Sequence, residues 1–157
     1  MGEDFVHITT DKLSVEDITQ KVTSPSAGAI SVFMGTTRDN FDGKTVIRLE
    51  YECYTQMAEK EMKKLCQQIR EKWSVKNIAF VHRIGVVPVT EASVIIAVSS
   101  AHRREALEAV QYGIDTLKST VPIWKKEVYA DGSTNWKENK ECSWSAESST
   151  VKSNQSV

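Results

Sequence analysis

The spacing of apolar residues changes abruptly near residue 55, and that change constrains the fold of this chain more than any other feature. From Val46 to Tyr54, apolar and polar residues alternate, which is typical of a strand with one side facing solvent. From Gln56 to Trp73, the apolar residues recur every three or four positions, which predicts a helix with one buried side. That side consists of Ala58, Met62, Leu65, Cys66, Ile69 and Trp73.

The same two patterns recur along the rest of the chain. Strands are predicted over residues 4–9, 29–35, 78–84, 92–98, 123–129 and 135–137, and helices over residues 14–22 and 101–119. The buried side predicted for the last helix consists of Ala106, Leu107, Val110, Ile114 and Leu117. Residues 37–44 are predicted to form a loop and Val87-Pro88 a turn, because turn-forming residues dominate there.

From Val46 onward, the predicted order is strand, helix, strand, strand, helix, strand, which is a split βαβ arrangement. The predicted fold class is therefore α+β, with a mixed or antiparallel sheet and helices on one face. The first 45 residues are expected to form a small additional β-sheet beside it. We expect a single domain over residues 1–144 and a disordered tail over residues 145–157, which are rich in serine and lack aromatic residues.

The charge and cysteine content of the chain narrow the classes of function. The formal net charge is −1, so no general field attracts the chain to nucleic acid or to a membrane. No apolar run reaches the length of a membrane span, no signal peptide is visible, and a cytosolic location is expected. Cys53, Cys66 and Cys142 are too far apart in sequence to indicate a zinc site or a disulfide framework. Cys53 and Cys66 are expected to be buried thiols.

A pair of basic residues occurs where a helix is predicted to begin. Ser99 or Ser100 would cap this helix, and His102 and Arg103 would then lie in its first turn. The helix dipole disfavours cations at that end and favours anions. The pair therefore indicates a bound anion, most simply a phosphate or a carboxylate.

Four segments, taken together, resemble the large, catalytic subunit of molybdopterin synthase. They are GAISVFMGTTR at 28–38, HRIG at 82–85, SSAHR at 99–103 and LKSTVPIWKKE at 117–127. The resemblance covers roughly residues 5–142 and implies an α/β hammerhead fold with an added small sheet. It also implies an enzyme that inserts two sulfurs into cyclic pyranopterin monophosphate to form molybdopterin.

The resemblance further implies the partners of the chain. Sulfur would arrive as a thiocarboxylate on the C-terminal Gly-Gly of a small ubiquitin-like sulfur-carrier subunit, whose tail enters the active site. Two large subunits would form a central homodimer, with one small subunit at each end of a heterotetramer. This chemistry requires an anion site, proton transfer and stabilisation of developing charge, and we expect neither a metal nor a cofactor.

The resemblance also assigns site residues. Lys118 is expected to be the main catalytic residue, acting as acid, base or transient nucleophile toward the carrier's carbonyl. Lys125 would hold the substrate phosphate or stabilise an oxyanion. Arg38 and Arg103 would bind phosphate or pterin oxygens, and His102 would hydrogen-bond substrate or transfer a proton. We expect these five side chains to converge on one pocket.

Four further positions are expected to contribute to substrate binding: Phe33, Thr37, Lys126 and Lys140. Phe33 would stack on the pterin or pack beneath it. Lys126 points away from Lys125 along the predicted strand, so its side chain is expected at the surface while its backbone lines the site. Lys140 stands where the resemblance leads us to expect an arginine from the other subunit of the dimer, so a bidentate donor is lost there.

Two other classes of function remain open from the sequence. One is a non-catalytic module that binds a pterin or a phosphate, which would explain the basic residues without requiring Lys118. The other is a module that only docks a ubiquitin-like partner, which would leave the cations unexplained. Loss of turnover in Lys118→Ala with the fold intact would separate the enzyme from both.

Overall fold

The computed structural model describes residues 2–138 and contains three helices and nine strands within that range. In chain order these are β1 Asp4–Thr9, α1 Val15–Val22, β2 Ala29–Thr36, β3 Asn40–Phe41, β4 Lys44–Cys53, α2 Thr55–Lys72, β5 Ile78–Arg83, β6 Gly85–Pro88, β7 Ala92–Ser100, α3 Arg103–Thr120, β8 Ile123–Tyr129 and β9 Thr134–Glu138. Lys140, Cys142 and the predicted tail 145–157 lie outside the described residues.

The strands form two sheets. The first has the order β1-β5-β7-β2, in which β1 and β5 run parallel and the other neighbours run antiparallel. The second is antiparallel and has the order β3-β4-β8-β9. β6 also belongs to this sheet and pairs with residues 48–51 of β4, whereas β3 pairs with residues 44–45. The predicted class, a mixed sheet with helices beside an additional β-sheet, is confirmed, but the additional sheet has five strands and is not the smaller of the two.

The predicted assignment of strands to sheets is wrong. β4 and β8 do not join β5 and β7 but pair with each other in the second sheet, and β1 and β2 flank β5 and β7 in the first. The predicted turn at Val87-Pro88 is part of β6. The predicted loop 37–44 contains a hairpin, whose two-residue turn Asp42-Gly43 has positive φ at both positions, as a type I′ turn requires.

Helices cover both faces of the first sheet. The long helices α2 and α3 share one face, as predicted, and pack with Ile78, Phe80 and Ile96. The short helix α1 lies on the other face, where Ile18 and Val22 pack against Ala79, Val81, Ile95 and Ala97. Because β5 and β7 are covered on both faces, their residues are buried almost without interruption.

The predicted buried side of α2 is confirmed, since its five aliphatic and sulfur-containing members are buried and Trp73 packs against them. Two other predictions fail locally. Leu107 is 58% exposed, and α3 instead buries Ala109 and Gly113. The alternation predicted for residues 46–54 also fails at its start. Ile47 is exposed and Val46 is buried, because the register of β4 against β8 shifts between Val46 and Arg48. Cys66 is buried as predicted, whereas Cys53 is half-buried.

An apolar surface remains uncovered on β2, which is an edge strand of the first sheet. Ile30, Val32 and Met34 share one face, as the alternation predicts, and each is between 36% and 48% exposed. An uncovered edge strand with exposed apolar side chains is typical of a surface that pairs with another chain. Within residues 2–138, the structure contains no helix that is both long and apolar enough to cross a membrane.

Candidate active site

A cavity of about 580 Å³ lies where α3 and the two sheets meet. Its walls come from β2, β4, β7, α3, β8 and β9 and from the hairpin formed by β3 and β4. Phe33, Val94, Ile114 and Leu117 form an apolar part of the wall. The volume is within the range typical of sites for small organic ligands.

Positive charge is concentrated in this cavity. Among the described residues that line it, four are cationic and one is a carboxylate: Arg38, Lys118, Lys125, Lys137 and Glu127. Arg38 follows β2, Lys118 lies in the last turn of α3, and Lys125 lies on β8 opposite Lys137 on β9. A chain with a formal net charge of −1 thus has a strongly positive cavity, which suits an anionic ligand.

Glu127 is the counter-charge within this group and is only 4% exposed. Its Oε1 lies 3.1 Å from Nζ of Lys137, and its Oε2 accepts a hydrogen bond of 2.6 Å from the hydroxyl of Tyr129. Both carboxylate oxygens are therefore occupied, so Glu127 holds Lys137 in place rather than offering a free base to a ligand.

Lys125 is the lysine whose proton affinity the cavity changes. Burial lowers the pKa of Lys125, Glu127 opposes that effect, and Lys118, Lys137 and Arg38 lower it further. The three other cations of the cavity therefore all oppose the charge of Lys125. A lysine in this environment gives up a proton more readily than one in water, which suits proton transfer or nucleophilic attack.

The cavity lining also includes three uncharged, largely buried polar side chains: Tyr51, His82 and Ser93. Ser93 Oγ donates to the carbonyl of Gly35 at 3.4 Å. Nδ1 of His82 lies 2.7 Å from the carbonyl oxygen of Arg83, which accepts a hydrogen bond from it. Burial lowers the pKa of His82 to about 4, so the ring is neutral at pH 7.

Four of the predicted site residues line the cavity: Phe33, Arg38, Lys118 and Lys125. Thr37 does not, because it is buried outside the cavity, where its Oγ1 donates to the carbonyl of Val87 at 3.4 Å; Thr36 lines the cavity instead. Lys126 points to the other face of β8, as predicted, and its Nζ lies 2.8 Å from Oε2 of Glu50.

His102 and Arg103, which we also expect at this site, do not line the cavity of their own chain. Arg103 begins α3 and Lys118 lies in its last turn. Fifteen residues of α-helix separate them by roughly 22 Å. The predicted cap is also wrong, because Ser99 and Ser100 belong to β7 and His102 is the residue that precedes the helix.

Seven polar residues that line the cavity were not predicted from the sequence: Thr36, Asn40, Tyr51, His82, Ser93, Glu127 and Lys137. Glu127 could have been predicted from the sequence, because it shares a strand face with Lys125 at a spacing of two. Lys137 could not have been predicted, because its position opposite Lys125 depends on the register of β9. His82 carried a signal, because it lies in HRIG, one of the four segments that carry the resemblance.

We expect the buried neutral His82 to make the stability of the fold depend on pH. Its pKa is about 4 in the folded chain and about 6.5 in an unfolded one. Between these values the unfolded state binds the extra proton, so the free energy of unfolding falls as the pH falls from 6.5 to 4, by about 3 kcal/mol.

Urea unfolding of the wild type and of His82→Asn across this range measures the effect. Asparagine does not titrate, so the difference between the two proteins isolates the histidine from the carboxylates. Parallel pH profiles for the two proteins would contradict the assignment.

Comparison with known proteins gives a consistent result. The family model described as MoaE protein matches residues 8–120. The molybdopterin synthase catalytic subunit of Bos taurus is 61% identical over 91% of this chain and 76% of that protein. The protein of the same name from Taeniopygia guttata is 64% identical over 90% of this chain and 92% of its own length. The crystal structure of molybdopterin synthase from Staphylococcus aureus is similar with a TM-score of 0.79 at 37% identity, covering 83% of this chain and 94% of that one.

Proposed function

The chain belongs to the MoaE protein family, and we propose that it is the catalytic subunit of a molybdopterin synthase. The proposed reaction is transfer of two sulfurs to cyclic pyranopterin monophosphate. The proposed donor is the C-terminal thiocarboxylate of a small ubiquitin-like carrier subunit. The observation that carries this proposal is the cavity in which Arg38, Lys118 and Lys125 meet.

The charges of the reactants support the proposal. The cyclic phosphate and the thiocarboxylate are both anions, and the cavity holds four cationic side chains against one carboxylate among its described lining residues. Desolvating two anions in one site is unfavourable unless fixed cations offset their mutual repulsion. The apolar wall around Phe33 and Leu117 suits the flat ring system of a pterin.

The proposed division of labour follows from position and burial. The thiocarboxylate sulfur forms a bond to a pterin side-chain carbon while a carbon–oxygen bond of that carbon breaks, and the oxygen leaves as water or stays on the phosphate as the cyclic ester opens. Water then cleaves the acyl–sulfur bond, which leaves sulfur on the pterin and a carboxylate on the carrier. Lys118 acts on the carrier's carbonyl as the main catalytic residue. Lys125, whose pKa is lowered by burial, transfers a proton or stabilises the oxyanion. Arg38 binds the phosphate.

We propose that His102 and Arg103 act across a homodimer, since they do not reach the cavity of their own chain. Ser100, which immediately precedes their segment, pairs with Ala29 at the start of β2, so both residues lie near the exposed apolar edge strand. A second copy docking on this edge would place His102 and Arg103 at the interface. The same proposal includes a contribution of Lys140 to substrate binding from the other subunit of the dimer. It also includes a cytosolic location.

We expect the isolated chain to be a homodimer at micromolar concentration, because burying Ile30, Val32 and Met34 removes apolar surface from water. Light scattering measures the mass. Val32→Lys places a charge in the middle of the edge strand and is expected to yield monomers. The matched control is Ile47→Lys, an equally exposed apolar position on the second sheet. A monomeric wild type, or a dimer unaffected by Val32→Lys, would refute this interface.

Turnover with purified components tests the proposed function directly. The full chain is mixed with the thiocarboxylated carrier and cyclic pyranopterin monophosphate, and the dithiolene product is measured. Formation of product that requires both reactants supports the synthase. Binding of the pterin without turnover would instead favour a non-catalytic binding module, and binding of the carrier alone would favour a docking module.

A further inference from the structure

His82 is a nearly fully buried polar side chain that lines the cavity and has an unused hydrogen-bonding atom. The ring is 4% exposed. Its Nδ1 donates to the carbonyl of Arg83, which is its only hydrogen bond within residues 2–138. The nitrogen left over is Nε2, which has no partner in this part of the chain. Because His82 lines the cavity, a ligand there can reach this unused acceptor.

The orientation of the imidazole is fixed from two sides. The hydrogen bond to Arg83 sets the tautomer, with the proton on Nδ1 and a lone pair on Nε2. The ring of Tyr51 meets the imidazole edge-on, with 5.1 Å between ring centres. Gly85, at φ +79°, turns the chain from β5 in the first sheet into β6 in the second, directly after this segment. The acceptor is therefore held rigidly in place.

The neighbouring polar groups do not compete for this acceptor. Ser93 donates to the carbonyl of Gly35, and the ring of Tyr51 contacts the imidazole edge-on. His82 and Ser93 are buried and uncharged, whereas the cations Arg38 and Lys118 are exposed. An anionic group suits the exposed cations, and an uncharged N–H donor suits a neutral imidazole acceptor.

We propose that Nε2 of His82 accepts a hydrogen bond from an N–H donor of the bound ligand and thereby fixes how deeply and in which orientation the ligand sits. This inference rests on the proposed function, which supplies two sources of such a donor. One is the pyrimidine edge of the pterin, with its lactam and amino N–H groups. The other is a backbone amide of the carrier's glycine tail. In both cases a ligand without the donor would lose this hydrogen bond, so His82 contributes to specificity.

Two substitutions separate this function from a structural one. His82→Asn can keep the donor to Arg83, because an asparagine amide reaches where Nδ1 lies, but it removes the acceptor at Nε2. His82→Gln is longer and reaches the Nε2 position. A purely structural histidine predicts that asparagine is the better replacement, whereas a ligand-binding Nε2 predicts that glutamine is. His7→Asn, an exposed histidine on β1, is the matched control.

Calorimetric titration of the full chain with two separate ligands is the experiment. The ligands are cyclic pyranopterin monophosphate and the carrier subunit with an ordinary C-terminal carboxylate. We expect His82→Asn to bind one of them about 10-fold more weakly, as expected for loss of one hydrogen bond to a buried group, and His82→Gln to recover part of that loss. The ligand affected identifies the source of the donor.

The outcomes distinguish this inference from the proposed function. If the wild type binds neither ligand, the proposed function fails. If it binds them and His82→Asn binds both with unchanged affinity, the assignment of His82 is overturned alone. NMR of the imidazole nitrogens in the wild type covers the case in which the variants do not fold. The Nε2 resonance is expected to shift on addition of the ligand while Nδ1 stays bonded to Arg83, and an unchanged Nε2 would overturn the proposal.

Discussion

Replacing Lys118 with alanine is expected to lower the single-turnover rate of sulfur transfer by about 100–1000-fold, which corresponds to about 2.7–4 kcal/mol of transition-state stabilisation. Lys118 lies in the last turn of α3 and faces the cavity. Because its side chain is exposed, the substitution should change the free energy of unfolding by less than about 0.5 kcal/mol. The loss is thus expected in chemistry and not in folding.

Lys126→Ala is the matched control. It also removes a lysine side chain, but from the face of β8 that points away from the cavity. Lys126 pairs with Glu50 and does not line the cavity, so a milder effect is expected. Both variants are compared at saturating carrier, with carrier affinity measured separately. Turnover near the wild-type rate in Lys118→Ala would refute its catalytic role, as would a loss of carrier affinity that accounts for the whole defect.

Replacing Glu127 with glutamine is expected to lower the free energy of unfolding by about 3 kcal/mol, because it leaves a buried positive charge without its partner. Glu127 is 4% exposed, and the side chain of its partner Lys137 is 16% exposed. The substitution should also lower the pKa of Lys125 further, since Glu127 is the neighbour that raises it.

A double-mutant cycle with Lys137→Met tests this explanation. Removing both charges leaves no unpaired ion, so Glu127→Gln/Lys137→Met should regain much of the stability that Glu127→Gln loses. Denaturant unfolding at one fixed protein concentration measures all four proteins, since association would otherwise shift the transitions. Simple additivity of the two single substitutions would show that the ion pair is not the cause.

The elements of this fold were predictable where they depend on local pattern. The buried side of α2 follows from helical spacing alone, and the inward face of β8, with Lys125 and Glu127, follows from alternation. Which strands pair is a non-local property that short-range spacing does not encode. From the sequence, β4 and β8 are therefore predicted to belong to the sheet that contains β5 and β7. In the structure they form a second sheet.

The candidate site divides along the same line. Arg38, Lys118 and Lys125 were found through sequence segments, and the structure brings them to one cavity. His102 and Arg103 were matched with equal strength, yet the length of α3 separates them from Lys118. A sequence motif identifies residue types but does not specify how far apart their side chains lie in the folded chain. Lys137 illustrates the converse, because only the pairing of β9 with β8 places it opposite Lys125.

The position of β8 between β4 and β9 has a consequence for the kinds of change that this site tolerates. Alternate residues of β8 face the cavity and the outer surface, and pairing on both sides fixes which set is which. Inserting one residue between Ile123 and Lys125 would exchange the two sets, turning Lys125 and Glu127 outward and Lys126 inward. Inserting one in the turn around Asp131 would leave both faces as they are. Length variation among natural relatives should therefore be confined to that turn and absent from the strand.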